Sequence, residues 1–293
     1  MARGRMGTTV PASEALDAWR HVRRAFADHR DLRLSAALVA AALALFLGFG
    51  AWAEAEAPAF VAWHFDLSRD HSAAEFFGYV LSGLTAAFLA LAWWRSGLSL
   101  YAAFALLFLF VLADDALQYH EGFARHVLKP LLDIPRMPGG RIQDTAEVLA
   151  WGIAAVALAV PLLLALRQWA AGKTGLVLTL AVPIGMLGAF GVGADVLHSM
   201  VPPSRLDTVI GIAEDGGELI ALSLAACLSA ALARAPYGSA YDPPLVWRGL
   251  RAQVATRPER ARDPLRRALG QPDLHAVAPG QAAPPQGLLR GGP

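Results

Sequence analysis

Apolar residues along this chain come in long blocks and not in the narrow stripes of soluble helices. Six stretches stand out: Leu34 to Ala53, Phe76 to Trp94, Leu98 to about Gln118, Val148 to Leu166, Leu176 to about Val196, and Val209 to Ala233. A hydrocarbon core about 30 Å thick needs roughly 20 such residues in a helix to cross it. In lipid a lone segment must also satisfy its own backbone, which a helix does. The pattern predicts an all-α fold, a six-transmembrane-helix bundle over residues 34–234. Alanine, glycine and leucine dominate the blocks, and small residues let helices approach closely in a membrane.

Composition agrees, with 56% hydrophobic and only 17% charged residues. The formal net charge of +1 hides a strong segregation. Seven arginines precede the first block, Arg95 follows the second, Arg167 and Lys173 follow the fourth, and nine arginines run from Arg234 onward. The opposite side holds only Arg69, Arg125, Lys129, Arg136, Arg141 and Arg205. Basic residues mark the cytoplasmic side, so both termini are expected inside, in a cell inner (plasma) membrane.

The flanks carry their own signals. Residues 1–33 form a cytoplasmic N-terminal segment in which Leu16, Trp19, Val22 and Phe26 recur at helical spacing beside arginines, as in a helix lying on anionic lipid. Residues 235–293, rich in Pro, Ala, Gly and Arg, read as a disordered cytoplasmic tail. Ala51-Trp52-Ala53 resembles a signal-peptide cleavage site, but the apolar run and the residues ahead of it are too long for one. The single cysteine, Cys227, excludes an internal disulfide, a CxxC pair and a cysteine-ligated metal site.

Acidic residues gather at one depth. Asp114 lies sixteen residues from Leu98 and Glu218 sixteen from Arg234, about 24 Å at 1.5 Å per residue from the cytoplasmic boundary and hence several Å inside the outer one. Asp115, His120, Glu121, Asp144, Glu147, Asp195, His198, Glu214 and Asp215 join them from neighbouring blocks. Ionisable groups inside a membrane are costly unless paired, and by default they mark function. Asp195 with His198, and Glu214 with Glu218, are spaced to share helix faces. The Asp195-Val196-Leu197-His198 run is similar to the Glu-x-x-His element of carboxylate-bridged dimetal bundles. Helix capping accounts for acids at helix starts, but not for Asp114, Asp115 and Asp195, which stand near helix ends where the macrodipole opposes them. These need a cation, a proton or a salt bridge.

Glu75, Glu147 and Glu218 recur 72 and 71 residues apart in the context small, Glu, two large apolar, small. That period suggests three tandem helical hairpins, with a Glu opening the second helix of each.

The runs Asp114-Asp115-Ala116-Leu117-Gln118-Tyr119-His120-Glu121 and Glu214-Asp215-Gly216-Gly217-Glu218 resemble those of uncharacterised bacterial multi-pass membrane proteins. That resemblance covers the six blocks and implies no activity. In general character, an outer-leaflet acid and histidine site, the chain is also similar to alkaline-ceramidase-like membrane hydrolases, without their paired histidines on a late helix.

Three functions fit these residues. The first is a metal-dependent hydrolase or transferase acting on a lipid-linked substrate. Its divalent metal ion would be held by Asp114, Asp115, Glu147, Asp195, His198, Glu214 and Glu218, and His120 or Glu121 would be the general base. The second is an ion or proton transporter, and the third a cation or pH sensor. On the cytoplasmic side, Ala36 to Phe46, Leu84 to Trp94, Ala102 to Leu109, Val156 to Leu166, Leu176 to Met186 and Leu222 to Ala233 hold no ionisable residue except Cys227, which disfavours a transport path. The expected partners are the bilayer and a lipid-type substrate, with no nucleic acid.

Overall fold

The computed structural model describes residues 11–54, 64–67, 69, 71–135, 141–168, 170–201 and 205–240. Glu56, Asp70, Arg136 and the tail beyond 240 lie outside the described residues. Residues 1–247 form one compact unit and 248–293 fall in a second. Among the described residues the fold is all-α apart from one two-residue ladder. In chain order the helices are α1 (Pro11–Asp28), α2 (Arg30–Glu54), α3 (Ala73–Ser96), α4 (Ser99–Leu117), α5 (Tyr119–Phe123), α6 (Lys129–Leu131), α7 (Ile142–Leu166), α8 (Lys173–Leu187), α9 (Asp195–Met200) and α10 (Arg205–Arg234). Wide π-helical turns occupy Ala124–Leu128 and Gly188–Ala194.

Six helical segments among the described residues are long and apolar enough to cross a membrane: Arg30–Ala53, Ala73–Ser96, Ser99–Leu117, Ile142–Leu166, Lys173–His198 and Thr208–Arg234. The chain is therefore a multi-pass membrane protein. The sixth is 72% buried inside the molecule and the first only 6%, so α10 is the central post and α2 a lipid-facing outer helix. α10 packs most extensively on α3, and also on α2, α8 and the Gly188–Ala194 turn. The core that results contains Leu81, Tyr101, Phe108, Leu180 and Leu232.

The three hairpins are not equivalent in packing. Their second helices, α3, α7 and α10, are buried to 39%, 11% and 72%. Glu218 does not open its helix either, because α10 begins thirteen residues earlier at Arg205. Glu75 does open one: Ser72 caps α3 by accepting from the Glu75 N–H at 3.2 Å, and the Glu75 carboxylate accepts the His71 N–H in return.

The end of the bundle that carries Arg95 and Arg234 is tied together by backbone carbonyls. The hydroxyl of Tyr101 on α4 donates to the Tyr237 carbonyl at 2.8 Å and accepts the Tyr237 N–H at 2.9 Å. The His21 ring on α1 meets the Ala235 carbonyl at 2.8 Å, and Arg95 donates to that of Ala233. Ala170 and Ala171 pair antiparallel with Ala240 and Ser239. Gln168 bridges to Ser99 N and Gly97 O. In this setting the apolar face of α1 rests on the protein: Ala18, Val22 and Ala25 are buried and Trp19 and Phe26 pack on the core. Of the four residues assigned to lipid, only Leu16 is largely exposed. Burial against α8 and α10 removes that apolar face from water without a membrane.

Candidate functional site

The site begins with a break in α4. Gln118 adopts a left-handed conformation, φ 49°, and its N–H closes on the carbonyls of Asp114 and Asp115. The chain then turns into α5, which brings His120 back over Asp114. The buried Asp114 carboxylate accepts the His120 N–H at 2.9 Å through Oδ1 and meets His120 Nδ1 at 2.8 Å through Oδ2. Asp114 therefore stands at the end of one helix but serves the beginning of the next. The expectation that capping cannot account for it is corrected, since the macrodipole of α5 and an imidazole both favour its charge.

A second carboxylate–imidazole pair joins α9 to α10, with His198 Nδ1 2.9 Å from Glu214 Oε2. Asp144 caps α7: its carboxylate takes the Arg141 backbone N–H at 2.7 Å and Arg141 Nε at 3.0 Å. Glu147 accepts from Gln143 at 2.6 Å, and Gln143 in turn accepts from Lys129 at 3.1 Å. Glu121 faces Arg125 across 3.7 Å. On α3 the Tyr79 hydroxyl donates to Glu75 and lies 3.3 Å from the Asp115 carbonyl.

Asp115, Asp195 and Glu218 are left. Each is half-buried, and none has a side-chain hydrogen bond or ion pair among the described residues. They are joined to their surroundings by charge. Asp115 lies within electrostatic reach of Glu75, Asp114, His120 and Glu218, and Asp195 within reach of Glu147, Asp144, His120, His198 and Glu218. Spans two to six therefore all contribute to one acidic network. Among the described residues, no three histidine, cysteine or acidic side chains are arranged to hold a single ion. Of the seven proposed ligands, Asp114, Glu147, His198 and Glu214 already engage a neighbour.

Two glycines set the contact between span five and α10. The Gly188–Ala194 turn presses Phe190 against Gly217, where a Cβ would overlap the ring, and sets Gly191 against the Glu218 carboxyl group. Wide turns of this kind occur frequently at functional sites.

His120 lies beyond the end of its span, which closes at Leu117. Burial alone would lower its pKa, but the Asp114 hydrogen bond and charge, with Glu147 and Glu121 behind them, hold it above the usual histidine value.

Tyr79, Gln143 and Trp151 were not singled out as site residues by the sequence reasoning. Tyr79 and Gln143 carried a signal, since each stands four residues from a glutamate it binds. The Trp151 ring lies 5.7 Å from that of His120, a contact across helices with no sequence signature.

No curated protein and no solved structure matches the chain. Residues 32–232 match the family model described as a domain of unknown function, DUF8692, which takes in the six spans and the acidic layer between them; the chain belongs to that family.

Proposed function

We propose that this protein binds a cation in the acid and histidine layer near the external face of the membrane, and that with a divalent ion bound it acts as a hydrolase or transferase on a lipid-type substrate. The observation that carries this reading is the trio of Asp115, Asp195 and Glu218. They come from three different spans, are half-buried, and have no hydrogen bond or ion pair to a basic side chain among the described residues. Carboxylates brought together at low dielectric cannot all stay ionised without a counter-charge, and a cation supplies it. A divalent ion also lowers the pKa of a bound water and polarises a carbonyl or phosphoryl oxygen. His120 is the general base of this reading, with Asp114 fixing which ring nitrogen carries its proton.

The test is metal content and thermal unfolding of detergent-purified protein, with and without chelator. Asp115→Ala, Asp195→Ala and Glu218→Ala should each lower metal occupancy and melting temperature together, because a bound ligand stabilises only the folded state. Chelation should erase most of the difference from the parent. Stabilisation by all three replacements, unaffected by chelator, would overturn the reading, since removing an uncompensated buried charge relieves a penalty.

One observation favours transport as a second reading. The hydroxyls of Ser82 on α3 and Ser223 on α10 are buried without a hydrogen-bond partner among the described residues. They stand seven and five residues inward of Glu75 and Glu218, about 10 and 8 Å along the helices. Polar positions below the acidic layer are what an inward path requires.

The proposed orientation follows the basic residues, with both termini cytoplasmic in a bacterial inner membrane. Reporter fusions at Arg95 and Lys173 should give cytoplasmic signals. An external signal at either would invert the molecule and place the acidic layer inside.

A further inference from the structure

Between α4 and α7 lies an apolar groove of about 430 Å3. That is within the range of small-molecule sites, about 300–1,000 Å3. Leu106, Leu109 and Phe110 form one wall, and Ile153, Ala157 and Pro161 the other. Among the described residues that line it, Tyr119 alone has a polar side-chain group. Leu109 is 53% exposed and Ile153 44%, so the groove opens on the outer surface of the bundle, where the surrounding medium is hydrocarbon.

We propose that this groove holds one acyl chain of an anionic phospholipid from the leaflet on the acidic side. Three features select that occupant. The lining runs along α7 from Ala150 to Pro161, about 16 Å at 1.5 Å per residue, which is one leaflet of a core about 30 Å thick. Small side chains at Ala113, Ala150, Ala154 and Ala157 create the channel, where larger ones would have let the helices interlock. Rings line its outer end: Tyr119 stacks on Phe123 at 5.6 Å, and Phe110 meets Tyr119 and Trp151 edge-on.

Charge at that end identifies the headgroup. Arg125, Lys129 and Arg141 are all exposed on the connection between α4 and α7. Arg141 gives Nε to Asp144 but keeps its side chain 78% exposed. The outer side carries few basic residues elsewhere, and this concentration above an acyl-sized groove suits a phosphate-bearing headgroup. Trp151 is in contact with both Phe110 and His120, so the headgroup would lie one ring away from the Asp114–His120 pair. The acyl site deepens the lipid-directed reading above and rests on it for its significance, although the groove exists whether or not a cation binds.

The experiment uses the full chain in bilayer nanodiscs containing phosphatidylglycerol or phosphatidylcholine with a photoactivatable acyl chain, followed by mapping of crosslinked peptides. Labelling should concentrate at least fivefold on residues 106–113 and 150–161 relative to α2, and phosphatidylglycerol should label more than phosphatidylcholine. Ala154→Phe and Ala157→Phe, which fill the channel, should each lower that labelling at least fivefold. Val160→Phe, on α7 but not lining the groove, should leave it unchanged. Lys129→Ala with Arg141→Ala should remove the phosphatidylglycerol preference and keep the acyl labelling. Uniform labelling over α2, α4 and α7 would overturn the proposal, as would persistent labelling in Ala154→Phe at an unchanged melting temperature. Measuring metal content and labelling on the same samples, parent and Asp115→Ala, separates the two ideas: a parent without metal, or metal undiminished in Asp115→Ala, with groove labelling retained sinks only the cation site, and metal lost in Asp115→Ala with uniform labelling in the parent sinks only the acyl site.

Discussion

Asp114→Ala should destabilise the protein by about 3–5 kcal/mol, the usual cost of removing one partner from a buried hydrogen-bonded charge pair. The alanine leaves the His120 N–H and Nδ1 without the carboxylate that both now face, and it uncaps α5 as well. Asp114→Asn should cost less, because an amide oxygen still accepts one of the two hydrogen bonds. Denaturant unfolding in detergent reads both variants. An alanine variant within about 0.5 kcal/mol of the parent would show that the pair does not hold the α4–α5 turn. The same measurement across pH carries a sign. His120 has a raised folded pKa, so the stability it contributes is complete below its unfolded value of about 6.5 and is lost as pH rises through the folded one. The gap between parent and Asp114→Ala should therefore narrow on the alkaline side.

Gly217→Ala should also be costly, for a steric reason. The new methyl group would overlap the Phe190 ring at Cγ and both Cδ atoms, near the root of a side chain that has little room to swing away. Overpacking of this kind costs about 1–3 kcal/mol. Phe190→Leu in the Gly217→Ala background should recover part of the loss, and an additive double mutant would count against the contact. Gly191→Ala is a useful contrast because its methyl meets the far end of the Glu218 side chain, not a ring. The carboxylate can swing aside, so stability should fall less while any cation bound there is lost.

Much of this architecture was legible in the sequence because hydrocarbon imposes a length and an apolar composition on whatever crosses it. All six spans are present, and the common depth of the acids survives in their electrostatic network. The register of the polar ends was less legible. The sixth block, from Val209, already placed Glu218 inside a span, and its match to Glu75 and Glu147 in the repeat is what made it look like a helix start, whereas α10 runs unbroken from Arg205. The break at Gln118 carries no glycine or proline, so nothing in the sequence announced that Asp114 would cap the helix after its own. The pairing of His198 with Glu214 joins residues sixteen apart on two helices. Helical spacing reports only neighbours on the same helix. The face of α1 was legible, but its partner was not, because an amphipathic pattern reads alike on lipid and on protein.

The wide turn at Gly188–Ala194 can also be viewed as a phase shift in span five. In a π-helix the hydrogen bonds run from i to i+5, so the segment carries extra residue for the same rise and everything beyond it is rotated about the helix axis. Asp195 and His198 lie directly after it. A regular α-helix through the same residues would aim these two side chains at a different azimuth, and the reach of His198 to Glu214 depends on the one adopted. The aim of Asp195 and His198 is thus set upstream, by a glycine- and alanine-rich run, Gly188-Ala189-Phe190-Gly191-Val192-Gly193-Ala194, that carries no ionisable group of its own.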